Sequence, residues 1–285
     1  MPAPAASAVE TFTQSDGYVS HYRIWGPSTG RDVIVVLHGG MSHSSWQQPL
    51  GEALVPDSGI TFVALDRRGS GLNAQPGHLE KGAQAIEDAA EFLRHLKTSF
   101  ERVHLAGWCF GGQVATSVAA GVADENVISS LLLLAPGFHF NERYSDVLRL
   151  SLEAVFAAVT DLGLEPSADT PFIKVPLEPG DFTTDPDWHR FIESDELRLT
   201  RVAPSMTDAW SELAELAAKD FADIPDVPVL AVLAKADRLV DNARVRAFLE
   251  TRDGIRFEEL NTGHALHFEE PAKLAGIVKS FIQTV

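Results

Sequence analysis

Apolar positions fall along this chain in two alternating rhythms. Runs in which nearly every residue is apolar, at 32–37, 61–65, 103–106, 127–134 and 227–234, predict strands buried on both faces, because a strand with one wet face would alternate. Between them, at 45–55, 78–99, 110–122 and 242–251, apolar residues recur three and four apart, as in helices packed by one face. Strand and helix in strict turn imply right-handed crossovers onto one mostly parallel sheet with helices on both sides, an α/β fold. The beginning differs: Val9-Glu10-Thr11-Phe12 and His21-Tyr22-Arg23-Ile24-Trp25 alternate, and predict an antiparallel hairpin turned at Ser15-Asp16-Gly17. A strand at 255–260 and a helix at 271–282 close the chain.

The rhythm stops after Ala135-Pro136-Gly137. Residues 138–223 hold no buried-strand run; helical stretches at 144–161, with apolar positions from Val147 to Val159, and at 206–222 flank a proline-rich loop. A connection this long inside a compact domain reads as a functional lid. The expected division is a core of 1–137 and 224–285, with a helical cap of 138–223 inserted after the sixth strand.

Composition adds exclusions. A chain of 285 residues that is 45% hydrophobic and 22% charged is of ordinary globular make-up. Its net charge of -17 argues against nucleic acid and against an anionic membrane surface as partners. No apolar run approaches the roughly 18 residues of a membrane span. One cysteine rules out an internal disulfide, and the first residues lack the basic start and apolar run of a signal peptide, so a cytoplasmic location is expected.

That one cysteine is the candidate centre of chemistry. Gly107-Trp108-Cys109-Phe110-Gly111-Gly112 stands between a buried strand and a helix, and a strand that turns sharply into a helix needs small residues beside the turn. Cys109 falls at the apex, where a nucleophile would sit. A thiol attacks a carbonyl only as thiolate and needs a base. His264 follows the last strand, in Gly263-His264-Ala265-Leu266-His267; His267 reads as a packing residue. The imidazole needs a carboxylate on its far nitrogen. Asp237, just past the strand at 227–234, is the first candidate; Asp241 is the rival, though it reads as a helix N-cap. The oxyanion of a tetrahedral intermediate would be received by backbone N–H groups: that of Phe110, and that of Gly40 or, second, Met41 in His38-Gly39-Gly40-Met41. Trp108, Phe138 and Trp188 are candidates to line the substrate pocket. No metal-ligand spacing or phosphate-binding loop is seen, so neither metal nor cofactor is expected.

The chain resembles the α/β-hydrolase superfamily over nearly its whole length. The resemblance is carried by the H-G-x loop at His38, the D-R-x-G-x-G turn from Asp66, the elbow at Cys109, the acid at Asp237 and the G-H-x-x-H-x-E-x-P ending from Gly263. The stretches 179–186 and 191–199 resemble the cap of the lysophospholipase and monoacylglycerol-lipase group. Those enzymes carry serine at the elbow. The cysteine pattern is similar to that of dienelactone hydrolases, polyhydroxyalkanoate synthases and some thioesterase-type domains.

The expected activity is therefore cleavage of an ester or thioester of an apolar small-molecule acyl substrate through an S-acyl-enzyme, with a carrier-bound thioester as a candidate donor. The alternative is capture of the same acyl group by an amine, alcohol or thiol, giving an acyltransferase or a ring-closing enzyme. A receptor or scaffold on this fold is a third reading, which a complete nucleophile, base and acid argue against.

Overall fold

The computed structural model describes residues 7–142, Tyr144 and 173–285. The helix expected at 144–161 lies, beyond Tyr144, outside them. An antiparallel pair, β1 (Ala8–Thr13) and β2 (Val19–Trp25), opens the chain, its turn carried by Gly17 at φ 86°. There follow β3 (Gly30–Leu37), α1 (Gln48–Leu54) entered through a 3-10 turn, β4 (Ile60–Leu65), α2 (Gly82–Lys97), β5 (Phe100–Trp108), α3 (Phe110–Gly121) and β6 (Ser130–Leu134).

Beyond β6, the described part of the insertion holds a two-residue ribbon, β7 (Ile173–Lys174) with β8 (Arg201–Val202), around α4 (Pro179–Phe182) and α5 (Pro186–Ser194), and then α6 (Pro204–Asp220). The sheet resumes with β9 (Val229–Ala234), α7 (Asn242–Leu249) and β10 (Ile255–Leu260). Two helices, α8 (Leu266–Glu269) and α9 (Pro271–Ile282), end the chain.

Eight strands make one sheet in the order β1-β2-β4-β3-β5-β6-β9-β10, parallel from β4 onward, with the expected run of fully buried residues in β4, β6 and β9. The order explains where a site can form. From β3 the chain crosses back to β4 and then jumps over β3 to β5. Right-handed crossovers in opposite directions put α1 on one face and α2 and α3 on the other, leaving a crevice at the carboxyl ends of β3 and β5. Register brings the strand ends level: Leu37 pairs with Leu65 and Gly107, Trp108 with Leu134, and Ala234 with Leu260. All the loops singled out in the sequence leave this one edge.

Several boundaries differ from expectation, each for a tertiary reason. The second helix begins at Gly82, not at 78, because Gly77 turns the chain at φ 81° and Gly82 N–H is capped by the Glu212 carboxylate of α6 at 2.6 Å. The sixth strand begins at Ser130, although Val127 and Ile128 are buried as expected; burial comes from packing, not from the ladder.

The elbow itself depends on close approach. A Cβ at Gly111 would overlap the Leu37 carbonyl, so α3 can start over β3 only if that position is bare. Gly111→Ala is expected to destabilise the fold by about 3 kcal/mol, as overpacking against rigid backbone does, measured as a lowered denaturant midpoint.

Candidate active site

Cys109 is the single residue between β5 and α3, and it holds φ 56°, ψ -124°, a region an L-residue enters only under constraint. Three backbone bonds impose it. Cys109 N–H donates to Leu134 O at 3.1 Å, and its own carbonyl accepts from Gly112 N and Gly137 N, both at 2.9 Å. The thiol therefore sits at the N-terminus of a buried twelve-residue helix, where the dipole favours negative charge.

Asp237 and His264 meet as the sequence suggests. Asp237 Oδ2 lies 2.8 Å from His264 Nδ1, and both side chains are fully buried. The other carboxylate oxygen accepts from Leu239 N and Val240 N at 2.9 Å each, which orients the acid. Asp241 does something else: its Oδ1 caps α7 through Ala243 N and Arg244 N, as its position before a helix implies. The histidine loop is pinned by Trp108 Nε1 donating to His264 O at 3.1 Å and by Gly263 N donating to Glu269.

Among the described residues His264 Nε2 is buried without a formed hydrogen bond, and Cys109 lies close enough to act on the ring. Burial alone would push the imidazole pKa down, but Asp237 and then Cys109 outweigh it and raise it to about 10. The arrangement therefore favours a charged imidazolium beside the elbow. His267, three residues on, is held neutral: burial, and then the like charge of His264, push it down to about 3. It packs edge-on against Trp108 at 4.5 Å.

The loop after β3 faces the elbow. A Cβ on Gly39 would come within 3.2 Å of both Cys109 Cβ and Trp108, tighter than side chains tolerate. His38, fully buried and kept neutral by burial, donates from Nδ1 to Gly39 O at 2.8 Å and accepts Arg67 N–H on Nε2 at 3.0 Å, locking this loop to the turn after β4. Among the described residues neither Gly40 N–H nor Phe110 N–H is taken by another group, so both remain available to an oxyanion. Met41 anchors the loop to the insertion by accepting Leu199 N–H at 2.9 Å.

The three candidate pocket residues pack in three separate places. Trp108 is fully buried among Trp46, Phe182, His264 and His267, supporting the histidine loop from beneath. Phe138 packs on Phe248 at 4.8 Å and on Phe221, while Trp188 stacks on Phe268 at 4.2 Å. Two residues that the sequence did not single out do bear on the centre. The Tyr144 phenol has its pKa raised, by burial first and by the charge of Cys109 next. Arg67 is buried beside the elbow and feels Cys109 as well. Nothing in the local pattern marks Tyr144, and Arg67, though part of the D-R-x-G-x-G turn, is of a residue type that is mostly exposed.

Among the described residues no group of His, Cys, Asp or Glu converges as metal ligands would, and no helix is long and apolar enough to cross a membrane. The family model for serine aminopeptidase, S33, matches residues 28–270. The chain belongs to this family. The family description names serine; here the elbow carries Cys109.

Among curated relatives, a proline iminopeptidase of Clostridium botulinum is 31% identical over 119 residues, covering 40% of this chain and 39% of its own length. A non-heme haloperoxidase of Rhodococcus erythropolis is 34% identical over 107 residues, covering 38% and 37%. The chain thus aligns with well under half the length of either. The solved structure of a soluble variant of monoglyceride lipase from Saccharomyces cerevisiae, in complex with a substrate analog, superposes with a TM-score of 0.79 at 16% identity over 99% of this chain and 98% of that one. At that identity the likeness is one of fold, and the fold is the α/β-hydrolase fold.

Two measurements test this electrostatic arrangement. Asp237→Asn should still fold but with a lowered melting temperature, because it removes the charge that chiefly raises the His264 pKa, and should slow turnover by a few orders of magnitude, whereas Asp241→Asn should leave turnover unchanged, the remaining side chain still capping α7. Because the folded pKa of His264 lies above its ordinary 6.5, its ionic contribution to stability is complete below pH 6.5 and lost as pH rises through about 10. Thermal melts should accordingly show the advantage of wild type over His264→Gln shrinking across that window.

Proposed function

We propose that this protein is an acyl hydrolase that cleaves an ester or thioester of an apolar carboxylic acid through an S-acyl-enzyme on Cys109. The observation that carries the proposal is the buried line from Asp237 through His264 to Cys109 on one sheet edge, opposite two unused N–H groups. In this reading Cys109 attacks as thiolate, and the negative charge on the carbonyl oxygen is received by the N–H groups of Phe110 and of Gly40, with Met41 as the other candidate donor. The imidazolium of His264 gives its proton to the leaving oxygen or sulfur. As a neutral base it then takes a proton from the water that attacks the thioester, and Asp237 holds it in the required orientation throughout.

Sulfur shifts the preferred chemistry. Attack on an oxygen ester trades it for a less stable thioester, whereas exchange with a thioester donor is nearly balanced, so an activated, carrier-bound acyl group suits Cys109 well. The residues 138–223 act as the cap in this proposal, with the core formed by 1–137 and 224–285, and the likeness to monoglyceride lipase supports a cap of that group. Cap contacts reach the centre directly: Leu199 N–H to Met41 O, and Ala265 N–H to Phe182 O at 2.9 Å.

These contacts also favour a second reading. Cys109 is only 6% exposed and His264 not at all, so the site is closed to bulk water, which would let an amine, alcohol or thiol intercept the acyl group. One experiment decides between them. A short acyl thioester should leave an acyl adduct on Cys109, seen by intact mass, and Cys109→Ala should lose both the adduct and turnover; turnover retained in that variant would end the proposal. Decay of the adduct in buffer alone supports the hydrolase, and discharge only by an added acceptor supports the transferase.

A further inference from the structure

Arg67 is a buried cation without a carboxylate partner. It opens the turn after β4, is 3% exposed, and makes no ion pair among the described residues. The neighbouring Asp66 spends its carboxylate on two backbone donors, Ser44 N–H at 2.6 Å and Leu72 N–H at 3.0 Å. A guanidinium taken out of water normally finds a carboxylate, because an uncompensated buried charge is strongly unfavourable. Arginine cannot escape by losing its proton near neutral pH.

Its contacts show what it does instead. Nη2 donates to Gly39 O at 2.7 Å, and Cζ lies 5.1 Å from the centre of the Phe110 ring, while Nε–H is buried with no hydrogen bond. One side chain thus touches both loops that carry the candidate oxyanion donors: the peptide next to Gly40 N–H, and the residue whose own N–H is the other donor. Gly39 in turn lies against the elbow, where a Cβ on it would come within 3.2 Å of Cys109 Cβ, so the guanidinium bonded to Gly39 O is placed beside the candidate nucleophile.

We infer that Arg67 is a positioning residue that ties the two oxyanion arms together and supplies buried positive charge beside Cys109. The inference rests on Cys109 being the nucleophile. Other groups that bear on the same charge do not titrate in its place across the neutral range. Tyr144, which approaches Cys109 from beyond β6, stays protonated, and His38, beside Arg67 and next to His43, is kept neutral by burial. His264, from the loop before α8, and Asp237 behind it are common to every variant below.

The test is the pH dependence of Cys109 alkylation by iodoacetamide, followed by intact mass, in the wild type, Arg67→Met and Arg67→Lys. Removing the charge in Arg67→Met should move the alkylation midpoint up by about one pH unit or more. Arg67→Lys keeps the charge but loses the bond to Gly39 and the flat contact with Phe110; its midpoint should stay near wild type, while kcat on an acyl thioester falls about tenfold with KM little changed. A folded Arg67→Met with the wild-type profile overturns the inference. Should that variant not fold, a midpoint in Arg67→Lys shifted by a full unit, or a wild-type kcat, does the same. A wild type that alkylates with the profile of an ordinary free thiol instead overturns the nucleophile reading, so the two failures are told apart.

Discussion

Everything at this centre depends on one backbone constraint, the positive φ of Cys109. An L-residue there costs about 1–3 kcal/mol, and the conformation persists only because its surroundings leave no other. Those surroundings are the sheet itself. Leu134 at the end of β6 accepts the Cys109 N–H, Gly137 just beyond it returns a donor to the Cys109 carbonyl, and Leu37 at the end of β3 presses on Gly111. The strand order, with its jump over β3, thus fixes the direction of a single side chain. Relaxing that residue would tilt α3, withdraw the Phe110 N–H and break the approach of Gly39 to Cys109 in one motion.

The same logic explains what could be read from the chain beforehand. Period and run length are local properties, and they located the parallel strands, α3 and the order Cys109, Asp237, His264, because each of these residues follows a buried run that ends at a common edge. Asp241 could be read as a cap since capping is decided within three residues, and its bonds to Ala243 and Arg244 are local. Arg67 could not be found that way. In Asp66-Arg67-Arg68 the two arginines look alike, yet Arg68 forms a two-pronged pair with Asp88 and reaches Asp16, while Arg67 turns inward to Gly39. The difference is made by α2 and the hairpin, which offer carboxylates to one guanidinium and not to the other. The start of α2 was missed for a related reason: its cap, Glu212, comes from α6 some 130 residues away. The neighbours of Phe138 and Trp188 were not legible because aromatic side chains pack on apolar surface brought up from distant parts of the chain, here Phe248 and Phe268.

Charge is the remaining tension. A protein of net charge -17 should, taken as a whole, oppose the formation of a thiolate. Screening limits that opposition, since exposed charges more than about 8–10 Å away contribute little at physiological ionic strength. Inside the site the balance is reversed: the His264 imidazolium, the N-terminus of α3 and the buried guanidinium of Arg67 lie around the elbow, and the Asp237 carboxylate is engaged by His264. Burial then amplifies the local terms over the distant ones. The result is a locally electropositive elbow in a molecule whose surface repels anions. Such a surface would slow the entry of a negatively charged substrate and leave a neutral, apolar acyl group unaffected. This is the electrostatic counterpart of the apolar substrate proposed from the chemistry of the site.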